Sequence, residues 1–230
     1  MKSPVVFDNK LLNALPRQDT DAMVSLLTIV DLAQGEVVMP AGEDARFAFF
    51  PLNGMISLVM VMLDGKAIET ATVGREGGVG LMSAFGPHLA KVRAIIQLPT
   101  IAARIAASAL RTFASAHPAV GAMALSYNEM LLTQATVTAA CNGLHPIEAR
   151  FCRWILQTRD RAESDIIPLT QEFLSEMLGV RRTSVTEVAS RMQALGVISY
   201  ARGTIIVRDV AALKKLSCEC YETLRIHEAH

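Results

Sequence analysis

The sequence predicts an α+β chain in three consecutive parts: a β-roll over 1–117, a long helix over 118–143 and a mixed C-terminal domain over 144–230. Three observations carry this. Short apolar runs broken by glycine turns fill the stretch from Ile29 to Ile105. Apolar residues at alternating spacings of three and four follow from Val120 to Cys141. Two short helical patterns then flank Gly179, and a hairpin pattern succeeds them.

In the first part the turn signals are Gln34-Gly35, Ala41-Gly42, Asn53-Gly54, Asp64-Gly65, Gly77-Gly78 and Gly86-Pro87. Short strands regularly punctuated in this way belong to a barrel or roll. Leu63-Asp64-Gly65-Lys66 is expected to be a tight hairpin, because Asp-Gly supplies the positive φ angles of a type I′ turn.

In the second part Val120, Met123, Tyr127, Met130, Gln134, Val137 and Cys141 form a narrow seam of coiled-coil type. One reading packs this helix on its own domain. The other, which we carry forward, makes the seven residues a homodimer interface with Gln134 setting register. Asn142-Gly143 is expected to end the helix in a left-handed cap, and a new helix begins near His145-Pro146.

The third part holds the most informative segment. Ile166-Ile167-Pro168-Leu169 reads as extended, since the residue before proline avoids helix. Thr170 is a good N-cap for a helix over 171–178. Gly179 breaks that helix, and Val185, Val188, Ala189, Met192 and Leu195 give the inner face of a second one, stopped by Gly196. Two short helices about a tight glycine turn have helix-turn-helix geometry. Val197 to Val207, with Ala201-Arg202-Gly203 at its tip, adds a basic wing. The outward residues Arg181, Arg182, Thr183, Ser184, Glu187 and Arg191 suit nucleic acid: arginine is bidentate to guanine, glutamate accepts from the cytosine amino group, and hydroxyls suit phosphate.

Composition narrows the classes. Hydrophobic residues make up 51% and mean hydropathy is +0.34, yet no apolar run approaches the roughly 20 residues of a membrane span. Met1-Lys2-Ser3-Pro4 leads into Asp8, Asn9 and Lys10, so no signal-peptide core is expected. With 22 basic and 22 acidic residues the net charge is +0, which argues against binding nucleic acid by charge alone. The four cysteines lack a secreted disulfide pattern, and a cytoplasmic setting is expected.

The run from Thr170 to Val185, TQEFLSEMLGVRRTSV, together with the wing, resembles the Crp–Fnr family of bacterial transcription regulators. The three parts follow that family's order of a cyclic-nucleotide-binding-like β-roll, a dimerisation helix and a winged helix-turn-helix. The resemblance is specific over 166–207. Over the roll it rests on strand spacing, Gly35 and Pro40-Ala41-Gly42. It implies a homodimer on two-fold-symmetric double-stranded DNA, with bases read by Arg182, Thr183 and Glu187. Thr170, Arg181 and Ser184 fall at phosphate contacts, and Arg202 at the wing tip. Glu187 stands where cyclic-AMP-receptor-like members carry a basic residue, and Thr183 where oxygen-sensor-like members carry glutamate, so the operator differs from both consensus forms. RNA polymerase is the implied partner of an activator in this family. No enzymatic activity is expected.

The resemblance also implies what to look for in the roll. Cyclic-nucleotide binders use a Gly-Glu pair for the ribose and an Arg-Ser pair for the phosphate. Here Gly78-Val79-Gly80-Leu81-Met82 places Leu81 at the glutamate, and Arg93 falls one position late. A degenerate pocket is therefore expected, with no assigned effector or cofactor. No cysteine precedes Cys141, which argues against the family's N-terminal iron–sulfur arrangement. His88, His117 and His145 are expected at the surface, and no clustered His-x-His supports a cupin-type metal enzyme. Cys218-Glu219-Cys220, with His227 and His230, has a tighter spacing than common zinc motifs, so no metal is expected. A competing reading makes the chain a small-molecule-binding module whose C-terminal domain contacts protein.

Overall fold

The computed structural model describes residues 8–86 and 88–228, with side chains through 226. Met1-Lys2-Ser3-Pro4, Pro87 of the Gly86-Pro87 turn, the side chain of His227, and His230 lie outside the described residues. The protein divides into two units. One holds the chain up to Leu58 together with Thr72–Leu132; the other holds Val59–Ala71 and everything from Thr133 onward.

The first unit opens with α1 (Lys10–Asn13), α2 (Arg17–Met23) and a 3-10 turn over Val24–Leu26. Buried Asn9 anchors this segment. Its side-chain amide donates to the carbonyls of Pro51 and Gly77, both at 2.9 Å, and its Oδ1 accepts from the Leu12 amide. Strands β1 (Thr28–Leu32), β2 (Val37–Met39), β3 (Phe47–Pro51), β4 (Met55–Val61) and β5 (Ala67–Val73) follow. After α3 (Leu81–Phe85) come β6 (Arg93–Leu98), β7 (Thr100–Ala106) and α4 (Ala107–Ala116). The strands form two sheets, ordered β1-β7-β3 and β2-β6-β4-β5. The antiparallel register runs Thr28 opposite Arg104 and Phe47 opposite Ala106. Phe50, Met55, Ile56, Ile96 and Ile105 are fully buried between them, as alternating apolar strands require.

One turn differs from the sequence expectation. At Leu63-Asp64-Gly65 only Gly65 has positive φ, +83°, so the hairpin is not type I′. The Gly65 amide donates to the Met62 carbonyl, and the Met62 amide to that of Lys66. This is a three-residue loop, a type I turn closed by a left-handed glycine. The Asp64 carboxylate accepts from the Lys66 amide and pairs with its ammonium at 2.7 Å, which holds its pKa below the usual range.

Helix α5 (Pro118–Leu144) begins at a proline, which suits a first helical turn. It continues through Gly143, where a left-handed cap was expected; that glycine stays helical, and Pro146 ends the run instead. The hydroxyl end of Tyr127 packs against Gly77, where a Cβ would sit 1.8 Å from its oxygen.

The second unit is built on α6 (Ile147–Ala162), which is buried along most of its length. Trp154 donates its indole N–H to Glu69 at 2.8 Å. Around it lie β8 (Ile166–Pro168), α7 (Gln171–Leu178), α8 (Arg182–Ala194), β9 (Ile198–Ala201) and β10 (Thr204–Val207). Two closing helices follow, α9 (Val210–Leu216) and α10 (Cys220–Glu228). The sheet order β8-β10-β9 makes the wing three-stranded. Among the described residues no helix is long and apolar enough to cross a membrane.

Gly179, at φ +63°, closes α7. A side chain there meets both the left-handed backbone and the Ile68 side chain, 2.5 Å from an added Cβ. Gly179→Ala is expected to cost about 1–2 kcal/mol in chemical denaturation. Gly121→Ala, in open helical space, should instead stabilise by about 0.5–1 kcal/mol.

Candidate nucleic-acid interface

The helix pair is set by local capping. Thr170 Oγ1 accepts from the Phe173 amide at 3.2 Å, as its position before the helix predicts. At the other end the Val180 amide donates to Ser175 and the Gly179 amide to Glu176, a Schellman-type close. The Arg150 guanidinium, buried on α6, donates to the Leu178 carbonyl at 2.5 Å. Burial lowers the Arg150 pKa from its ordinary value. Val180 and Arg181 complete the corner, and Arg181 is the extended N-cap of α8.

Helix α8 then has two faces. Val185, Val188, Ala189 and Met192 are buried; Arg181, Arg182, Thr183, Thr186, Glu187 and Arg191 are exposed. Ser184 is half-buried. Arg191 is engaged within the chain, pairing with Glu148 at 2.5 Å. The Thr186 hydroxyl lies 2.9 Å from Gln171 Oε1 and 3.0 Å from the Arg182 carbonyl, tying α8 to the start of α7.

The wing is locked to α8 by Tyr200. Its amide donates to Gln193 Oε1 at 2.8 Å and its hydroxyl to the Leu169 carbonyl at 2.9 Å. Burial raises the Tyr200 pKa, and the nearby Arg182 charge opposes this. Ala201 pairs with Thr204, leaving a two-residue turn at Arg202-Gly203 with φ of +51° and +74°. That is the type I′ pattern, and Arg202 adopts a conformation that favours glycine or asparagine. A groove between α8 and the wing is lined by Gln171, Arg182, Ser190, Gln193, Tyr200 and Arg202. Gln171, Gln193 and Tyr200 went unremarked in the sequence because none belongs to a charged or apolar pattern.

The seam of α5 is placed differently from expectation. Val120, Tyr127, Gln134 and Cys141 are buried within the chain itself, and Met123, Met130 and Val137 are half-buried. Within the chain the seven residues form the inward face of the helix, four of them fully covered and three in part. Periodicity marks a face for burial without saying against what. The exposed face has its own apolar residues, Leu125 and Leu132, 59% and 65% exposed.

The tail cysteines do not stand alone. Cys218 and Cys220 are buried beside Cys141, with Cys141 and Cys218 sulfurs 3.5 Å apart. His145 is no simple surface residue: its Nδ1 lies 3.6 Å from the Cys220 sulfur. Thus the pair Cys218 and Cys220 is completed by residues far upstream, which spacing within the tail could not show. The Cys141 thiol is held well below its usual range by the Cys218 hydrogen bond, against burial and aided by Arg153. Cys218 and Cys220 are pushed up, and His145 is raised by Cys141 and Glu219. Cys152 stands apart, with burial pushing its thiol up to about 12. His117 is half-buried, stacked on Phe113 and paired with Asp19 at 2.7 Å. His88 accepts from Arg111 at 2.5 Å.

Residues 149–216 match the Crp-like helix-turn-helix domain, and residues 29–117 match the cyclic nucleotide-binding domain. No curated protein matches the chain. Among solved structures, a protein from Eubacterium rectale assigned to the Crp/Fnr family of transcriptional regulators is similar, at 15% identity and a TM-score of 0.73. The match covers 91% of this chain and 98% of that one. FixK2 from Bradyrhizobium japonicum is similar at 17% identity and a TM-score of 0.71, covering 84% and 98%. The c-di-GMP-responsive global regulator CLP from Xanthomonas campestris is similar at 14% identity and a TM-score of 0.70, covering 84% and 100%. At these identities the likeness is one of fold. With a cyclic nucleotide-binding domain followed by a Crp-like helix-turn-helix, this chain belongs to the Crp–Fnr family of transcription regulators.

Proposed function

We propose that the protein acts as a homodimer on a two-fold-symmetric operator, with a β-roll that does not bind cyclic nucleotide. The observation that carries the DNA-reading part is the exposed row Arg182, Thr183 and Glu187 beside the wing tip Arg202. Their other sides are held rigidly by the buried face of α8 and by Tyr200. Arg182 and Glu187 read bases; Thr170, Arg181, Ser184 and Arg202 meet phosphate. Arg191, paired with Glu148, approaches the backbone only if that pair opens.

A helix apolar on both faces needs cover on both. The inward face of α5 is already covered, so Leu125 and Leu132, seven residues apart on the outward face, are the dimer contact. Dimerisation then sets two recognition helices about one DNA turn apart, roughly 34 Å.

Two features support a roll without cyclic nucleotide. The stretch Gly77-Gly78-Val79-Gly80-Leu81 contains no carboxylate to accept a ribose hydroxyl. Leu81, where the family's acidic residue was expected, is buried as the first residue of α3. The nearby Glu76 carboxylate accepts from the Gly74 amide at 2.8 Å.

Selection from random DNA followed by gel shift tests the reading: a palindromic site bound without cyclic AMP is expected, and failure to enrich any site sinks it. Arg182→Ala should lose about 1–3 kcal/mol of discrimination at one base position. Arg202→Gly relieves a left-handed arginine, so the melting temperature should hold or rise. Affinity for all sequences should fall, and the salt slope should flatten by about 0.9 for each phosphate no longer neutralised. The double variant Leu125→Glu, Leu132→Glu should sediment as a monomer; a persisting dimer would move the interface elsewhere.

A further inference from the structure

Four donor atoms converge at the C-terminal end of α5. Cys141 and His145 are one helical turn apart, at i and i+4, so both project from the same side. The link after α9 brings Cys218, and the first residue of α10 brings Cys220, against them. The ligating atoms of all four residues lie within 4.8 Å of one another, and the three cysteines are buried.

The spacings have chemical content. Four ligands about one zinc ion, with Zn–S near 2.3 Å and Zn–N near 2.0 Å, sit at tetrahedral edges of roughly 3.5–3.8 Å. The Cys141–Cys218 sulfurs are 3.5 Å apart, and the Cys220 sulfur is 3.6 Å from His145 Nδ1. Atoms this close leave room for a single ion and none for a multi-iron cluster. Three sulfurs and one imidazole are the donor set of a closed structural zinc site.

The surroundings fit as well. With Nδ1 turned to the sulfurs, His145 presents Nε2 to the Glu219 carboxylate at 3.2 Å. A carboxylate behind a ligating histidine fixes its tautomer and orientation. Arg150 and Arg153 are buried nearby, and among the described residues they donate to neutral groups, the Leu178 carbonyl and Gln157. Both interact electrostatically with Cys141 or Cys218. Two buried guanidinium groups call for a nearby anionic centre, and three thiolates on one divalent ion carry a net charge of −1.

We propose that Cys141, His145, Cys218 and Cys220 form a tetrahedral Cys3His site for one zinc ion, joining the end of the long helix to the C-terminal helix. The thiol protons leave to solvent as the ion binds. The site stands independently of the operator and dimer readings above.

The test uses the full chain, purified under reducing conditions and analysed by inductively coupled plasma mass spectrometry. About one zinc per protomer is expected. Cys218→Ser and His145→Ala should lose it, while Cys152→Ser, which changes a buried thiol outside the cluster, retains it. Exchange with Co2+ should give the visible bands of a tetrahedral thiolate complex. Should the cysteine variants fail to fold, Glu219→Gln, on an exposed carboxylate, still decides: it should lower zinc affinity about 10–100-fold in competition with a chelator. Reduced protein that takes up neither Zn2+ nor Co2+ overturns the proposal. So does a Cys141–Cys218 disulfide in protein that zinc does not protect from oxidation.

Discussion

The DNA-binding half depends on one tight corner, the turn from Leu178 to Arg181. Gly179 takes a left-handed conformation, two amides return to the last turn of α7, and Arg150 caps the Leu178 carbonyl from beneath. Helix ends leave carbonyls without partners, and burying them unsatisfied would cost more than the turn contributes. Once they are satisfied, α8 can start only at Arg182, with Val185, Val188 and Met192 inward. The exposed row follows from that geometry. Tyr200 and Gln193 then hold the wing beside α8.

The same unit concentrates charge where burial is greatest. Arg150, Arg153 and Arg161 are buried on α6, a helix otherwise filled by Phe151, Trp154 and Ile155. Buried guanidinium groups are tolerated only with hydrogen bonds and opposing charge. For Arg150 and Arg153 a carbonyl and a side-chain amide oxygen supply the first, and both interact electrostatically with Cys141. The end of α5 is thereby linked to the base of the helix pair through side chains of the same unit.

Local chemistry was legible in the sequence. Thr170 as a cap, Gly179 as a breaker, the period of α8 and the Arg202-Gly203 tip each depend on residues within about one helical turn, and each is present in the structure, save that Leu195, expected on the inner face, caps α8 and is 58% exposed. The Asp64-Gly65 turn shows the limit even at short range. Dipeptide preference favoured a two-residue loop, while strand pairing between Met62 and Lys66 imposed three. The cap at Gly143 failed for a related reason: glycine permits a left-handed stop but does not compel one, and proline three residues later ended the helix.

Periodicity, capping and turn chemistry are encoded between near neighbours, so the sequence alone determined the three parts, their order and the helix-turn-helix with its wing. Two matters required the tertiary structure. The seam of α5 announced that Tyr127, Gln134 and Cys141 would be buried, but an amphipathic pattern carries no label for its partner, and the chain itself covers them. The donor set was likewise hidden, because Cys141 and Cys218 are 77 residues apart and meet only when the chain after α9 returns to the end of α5. Burial is written in the period of a sequence; what lies opposite is decided by the packing of elements distant along it.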